Sequence, residues 1–177
     1  MYAAHFAAAL AVKAKAPKAP TWALMAGAFL PDFIWVALGL AGVEPSQGPA
    51  FFDDWSHSLA MVVVWATLFA ICFWRHGLAV MVPVWIAVLS HFALDLPIHP
   101  KKVALFPHSS VHLGWNSWNY GLSRSWLGAT HYWWIELAAL IVLSWIYVRD
   151  ARRAQFAMNL ILASCTVVLG LHLMALL

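Results

Sequence analysis

Apolar residues dominate five stretches of this chain, residues 21–43, 58–74, 77–98, 132–148 and 156–177. Each approaches the length at which a helix crosses the ~30 Å hydrocarbon core of a bilayer. A sixth, residues 1–12, rises only ~18 Å as a helix and is followed by Lys13, Lys15 and Lys18. A secretory signal carries its charges before the apolar part, so this segment reads as a short helix dipping into a membrane or lying at its edge. The stretch 21–43 holds Pro31 and Asp32 near its middle. A proline there removes one helical hydrogen bond and crowds the preceding turn, so a broken or kinked span is expected. Trp and Tyr cluster at the ends of the stretches, as interfacial belts do. The long connection 99–131 is punctuated by Pro100, Pro107, Gly114, Gly121 and Gly128, and a loop of that length is usually functional. The expected fold is an all-α, polytopic membrane helical bundle with about five transmembrane helices plus the short N-terminal helix. No internal repeat or low-complexity tract divides residues 1–177, which read as a single membrane-embedded domain.

Composition points the same way. The chain is 64% hydrophobic and 10% charged, with mean hydropathy +0.78, whereas soluble domains carry about 25% charged residues. A net charge of +3 invites a nucleic-acid partner, but the Lys and Arg residues are dispersed near the ends of apolar stretches and form no stripe that could follow a phosphate backbone. With the N-terminal lysines on the cytoplasmic side, Lys13, Lys15, Lys18, Arg75, Arg149, Arg152 and Arg153 fall inside, and Lys101, Lys102 and Arg124 outside. The inner excess favours that orientation. Cys72 and Cys165 lie within apolar stretches without paired spacing and read as small buried hydrophobes.

The polar residues inside these stretches carry the chemistry. His91 and Asp95 stand one helical turn apart on one face of an apolar segment. At bilayer depth an ionisable group lines a cavity, pairs or binds something, and an imidazole beside a carboxylate points to a divalent metal or to a hydrogen-bonded pair bridging two helices. Asp32, in Leu30-Pro31-Asp32, either points into the bundle or caps the half-helix that follows. His57 opens its stretch just after Asp53 and Asp54, so it is either a ligand or part of an N-terminal capping cluster with Asp54 or Ser56. His99, held beyond Asp95 by Pro97 and Pro100, is a ligand or a plain interfacial histidine. His5 is the one histidine of the first apolar stretch, which has no acid, Lys or Arg, and is again ligand or interfacial. Glu136, four residues into an apolar helix with no Lys or Arg on its face, needs a metal or a histidine to compensate it. His108, His112 and His131 have weaker claims, His76 reads as solvated beside Arg75, and His172, with no carboxylate neighbour in sequence, reads as structural.

An N-terminal histidine, Leu30-Pro31-Asp32, His57-Ser58 opening a helix, and the His91-x-x-x-Asp95 pair, in this order, resemble the bacterial membrane-bound metal-dependent hydrolases. That family is distantly similar to zinc-dependent phospholipase C and the fungal single-strand zinc nucleases. The resemblance covers residues 5 to about 136. It implies metal ligation by His5, Asp32, His57, His91, Asp95, His99 and Glu136, with two or three ions, most readily zinc. The soluble phospholipases end on His-x-x-x-Glu, whereas His131 and Glu136 are five apart and stand ~140° apart around a helix. The implied activity is hydrolysis of a phosphoester, with Asp32 or Glu136 orienting or deprotonating a water. A site opening to the outer leaflet of a bacterial inner membrane suits a lipid or lipid-linked phosphate. Trp115, Trp118, Tyr132, Trp133 and Trp134 would cover the site or anchor the interface, and Asn116 and Asn119 would offer hydrogen bonds or make a turn. Two other classes use the same residues. A membrane metal-binding or metal-transport protein needs no hydrolysis, and a haem-binding electron carrier would take axial ligands from His57, His91, His131 and His172.

Overall fold

The computed structural model describes residues 3–45, 52–99, 103–114 and 131–174. These residues are mostly helical, with little sheet. In chain order they form α1 (Ala3–Lys15), α2 (Thr21–Ala28), α3 (Leu30–Leu40), α4 (Asp54–His57), α5 (Leu59–Ile71), a 3-10 turn (Trp74–His76) and α6 (Leu78–Ile98). A small antiparallel pair follows, β1 (Val103–Ala104) with β2 (His112–Leu113), and then α7 (His131–Arg153) and α8 (Met158–Met174).

The short first helix, expected to dip into a membrane or lie at its edge, is packed inside the bundle. α1 is the buried centre of the bundle, packed against α2, α6, α7 and α8. Ala3, Ala4, Ala7, Ala8, Ala9, Ala11 and Ala14 are all buried. Alanine is the reason, because side chains this small let neighbouring helices approach the α1 backbone from all sides. Its thirteen residues therefore shape the core around them. The contacts Ala4 with Glu136 and Lys15 with Asp150 show that α1 and α7 run parallel. α6 runs the other way, carrying His91, Asp95 and His99 to the end of the bundle where α1 begins.

The stretch 21–43 is broken, as expected, and bent by 54° between α2 and α3. The break falls at Phe29. Pro31 sits in the first turn of α3, where a missing N–H costs little, and so begins the second half-helix. The 13 residues of α5 and the 17 of α8 are apolar but short. One helix, Leu78–Pro97, is long and apolar enough by itself to cross a membrane, and the bent pair makes a second if it counts as one span.

Among the described residues, lysines and arginines gather at the end of the bundle away from His5, His57, His91 and His99. Lys15 approaches Asp150 at 3.9 Å, and Arg149 holds Asp150 through Nε at 2.6 Å, a hydrogen bond that keeps this carboxyl below its usual range. Trp22 meets Phe73 at 5.6 Å between ring centres, which brings Arg75 to the same end. Large apolar side chains face outward around the bundle, among them Leu40, Leu78, Ile141, Trp145, Leu162 and Val167. Lys101, Lys102, Arg124, Trp115, Asn116, Trp118 and Asn119 lie outside the described residues, as do the side chains of His131 and Tyr132.

Gly114 closes the small sheet against the end of α6. Its φ is +84°, and a Cβ there would run into the Leu96 carbonyl oxygen. Backbone cannot yield as a flexible side chain does, so Gly114→Ala is expected to destabilise the protein by ~2 kcal/mol or more and to disturb the turn that carries His99. Thermal denaturation of the variant in detergent checks this.

Candidate metal centre

Four helices and one helix end deliver six side chains to a common point. α1 brings His5, the start of α3 brings Asp32, α4 brings His57, and α6 brings His91, Asp95 and, at its C-terminal boundary, His99. Asp95 is the hub. Its Oδ1 lies 3.5 Å from His5 Nε2, and its Oδ2 lies 3.1 Å from His91 Nε2 and 4.0 Å from His57 Nε2. Asp32 Oδ1 lies 3.4 Å from His57 Nε2 and 3.7 Å from His91 Nε2. The imidazoles crowd one another, with ring centres 4.3 Å apart for His5 and His91, 5.3 Å for His57 and His91, and 5.4 Å for His57 and His99. All but Asp32 are buried.

A hydrogen bond on the far side of the His91 ring fixes where its proton sits. The break at Phe29 leaves the Ala28 carbonyl available, and His91 Nδ1 lies 2.7 Å from it. A carbonyl only accepts, so the proton is on Nδ1 and the neutral ring turns a bare Nε2 toward the carboxylates. That Nε2 is buried and makes no hydrogen bond of acceptable geometry. His57 is held from both sides: Nδ1 lies 2.7 Å from Ser56 Oγ, itself 3.0 Å from the Asp53 carbonyl, and Nε2 is hydrogen-bonded to Asp32 Oδ1 at 3.4 Å. Its proton sits either on Nδ1, with the Ser56 hydroxyl donating to Asp53, or on Nε2 facing Asp32, with the hydroxyl donating to Nδ1. The bare Nε2 of His91, aimed at two carboxylates, is repelled by them unless a cation lies among them or the ring is protonated.

Three sets of side chains bring ligand atoms within 4.8 Å of one another and could hold a metal ion: His5, His91 and Asp95; Asp32, His57 and His91; and His57, Asp95 and His99. Because His57 and His91 each turn only Nε2 to the cluster, the middle set competes with both others. The first and third share only Asp95, which has two oxygens to give. Ligating histidines usually donate their other N–H to a carbonyl, carboxylate or hydroxyl, which sets the tautomer and the ring orientation. Ala28 and Ser56 stand in that position here.

Glu136, expected among the ligands, belongs to none of these sets. Its Oε1 accepts the Ala4 N–H at 3.2 Å, and its Oε2 meets His172 Nδ1 at 3.1 Å. His172, expected to lack a carboxylate, is thus paired with one. Trp133, expected in a lid or as an interfacial anchor, is buried with its ring stacked on His172 at 4.3 Å. Two acids given no role of their own in the sequence also shape the centre. Asp53 holds the N-cap position of α4 without a side-chain capping bond, and its Oδ2 lies 3.2 Å from His99 Nε2. Glu44 is buried and accepts the N–H groups of Trp55 and Ser56 at 2.6 and 3.1 Å, which anchors the short helix bearing His57. Asp54 instead ties the turn of the small sheet through the His108 N–H at 3.0 Å.

No protein-family model matches this chain, and no curated protein or solved structure does. The centre is therefore read from its own chemistry. Its donors are imidazole and carboxylate without thiolate, a set that suits zinc, manganese or iron at the divalent level.

Proposed function

We propose that the chain is a membrane-embedded, metal-dependent hydrolase that cleaves a phosphoester of a lipid or lipid-linked substrate. The observation that carries the reading is the convergence of buried imidazoles on Asp32 and Asp95, with His91 held by the Ala28 carbonyl so that a bare Nε2 faces both carboxylates. Removing six such side chains from water is costly, and divalent cations repay it. In the sets that share no histidine, His5 and His91 would hold one ion and His57 and His99 another, each together with Asp95. Ions so held, zinc most readily, would supply Lewis acidity to a phosphoryl group and lower the pKa of water toward neutrality.

This chain's residues then divide the work. Asp95 and the four histidines fix the cations, while Ser56 and Ala28 keep the rings aligned. Asp32 is the most accessible member, with 29% of its side chain exposed, compared with 10% for Asp95. It is placed to orient or deprotonate the attacking water. Glu136 is already engaged by Ala4 and His172, so that role falls to Asp32 alone.

The outward-facing apolar side chains support a bilayer setting. In this reading five crossings come from the bent α2–α3 pair, α5 extended by α4 and the 3-10 turn, α6, α7 and α8. The basic end faces the cytoplasm of a bacterial inner membrane and the centre faces the outer leaflet. A lipid phosphate would reach the centre with its chains still in the membrane. The clustering of Asp32, Asp95, His5, His57, His91 and His99 at one end favours hydrolysis over transport, which needs polar groups along a continuous path. Carboxylates facing His57 and His91 argue against a haem between them.

The test is elemental analysis of detergent-purified protein together with release of water-soluble phosphate from phospholipid or polyprenyl phosphate vesicles. The native protein is expected to retain divalent metal and to cleave, and the double variant His91→Ala, Asp95→Ala to do neither. Unchanged metal content in the double variant would defeat the proposal. Metal without cleavage would favour a binding or transport protein.

A further inference from the structure

Glu136 and His172 form a buried pair that no ligand set includes, and Glu136 bonds the segment that presents His5. The Ala4 N–H, in the first turn of α1, is one of the helix donors that have no partner within the helix. Glu136 Oε1 accepts it at 3.2 Å, and a carboxylate at a helix N-terminus is further favoured by the helix dipole. Glu136 is fixed in turn. Its Oε2 lies 3.1 Å from His172 Nδ1, the His172 ring stacks on Trp133, and Trp133 Nε1 donates to the His172 carbonyl at 3.3 Å. Glu136 is 1% exposed and His172 is fully buried. The first turns of α7 and the last turn of α8 thereby clamp the first turn of α1. His5, the next residue after Ala4, has its Nε2 3.5 Å from Asp95 Oδ1.

From this we infer that Glu136 is a positioning residue for one half of the metal centre, acting through Ala4 to set His5 while leaving His57 and His99 untouched. The inference rests on the metal reading above. A metal–nitrogen bond tolerates a displacement of only ~0.2 Å, so a small slide of α1 would cost the ion that shares His5, His91 and Asp95. His57 and His99 stand on α4 and at the end of α6, anchored instead by Glu44 and Asp53, and should not respond.

The experiment is cobalt(II) titration of the purified full chain, following ligand-field absorption and bound stoichiometry for native protein, Glu136→Ala, Glu136→Gln, His5→Ala and the double variant His5→Ala, Glu136→Ala. Glu136→Ala is expected to weaken one of the two cobalt sites by about 10–100-fold, the usual effect of losing an outer-shell partner, with the other site unchanged. Glutamine still offers an oxygen to the Ala4 N–H, so Glu136→Gln should keep both sites. In the His5→Ala background, Glu136→Ala should have no further effect, because the residue it acts through is gone. A general loss of folding would instead weaken both sites and add to His5→Ala. That outcome overturns the inference, as does loss of cobalt in Glu136→Gln, which would make Glu136 itself a ligand. Native protein that binds no cobalt defeats the metal reading itself, whereas native protein with two sites and a Glu136→Ala variant that keeps both defeats only the positioning role.

Discussion

Replacing Asp95 with Asn is expected to empty both metal positions, whereas His5→Ala or His99→Ala should each empty one. The asymmetry follows from the geometry. Asp95 is the one residue common to the two sets that do not compete for a histidine, and it uses both oxygens, Oδ1 toward His5 and Oδ2 toward His91 and His57. Asparagine matches it in shape but replaces one acceptor oxygen with an N–H donor and removes the charge. The remaining side chains then offer four imidazoles and the Asp32 carboxylate, too little negative charge to favour two dications. The loss of affinity should exceed the ~10–100-fold typical of an outer-shell change, and phosphoester cleavage should fall to background. Metal analysis of the three variants after dialysis checks the pattern. Equal losses in all three would show that Asp95 does not join the two positions.

Stripping the ions should also weaken the fold itself. The ligands assigned to the two ions come from α1, α4 and α6 with its C-terminal boundary, so bound cations would tie together helices far apart in sequence. A ligand present at ~1,000 times its dissociation constant stabilises the state that binds it by about 4 kcal/mol. For a chain of this size that corresponds to a melting temperature lower by roughly 8–16 °C after chelation. Differential scanning fluorimetry in detergent with and without a chelator measures it. The Asp95→Asn variant should show no shift on chelation, which separates loss of the site's metal from a general effect of the chelator.

Much of the site can be read from spacing along single elements. His91 and Asp95 share a helix face at a separation of four, and they meet at 3.1 Å. Leu30-Pro31-Asp32 signals a broken helix, and the break is present, shifted by two residues because proline is best tolerated in the first turn of the helix it opens. Pairings across helices leave no such trace. Glu136 and His172 are 36 positions apart, and nothing in the local pattern of either says that they face one another. Asp53 was hidden by its neighbours, since two acids before a short helix read as caps, yet one of them turns to His99. The burial of α1 was obscured for a related reason. An alanine-rich helix has no strongly apolar stripe, so its sequence does not reveal that neighbours cover it all round; only the packing of α2, α6, α7 and α8 does.

The claim that everything else depends on is that imidazole and carboxylate groups brought together from α1, α3, α4 and α6 bind a cation. X-ray absorption fine structure at the edge of the metal retained by the purified protein measures this directly. The account predicts zinc with nitrogen and oxygen scatterers at about 2.0–2.1 Å and the outer-shell pattern of imidazole rings. Protein purified without metal that takes up none on addition of zinc, or sulfur scatterers at about 2.3 Å placing the ion on Cys72 or Cys165, would contradict it.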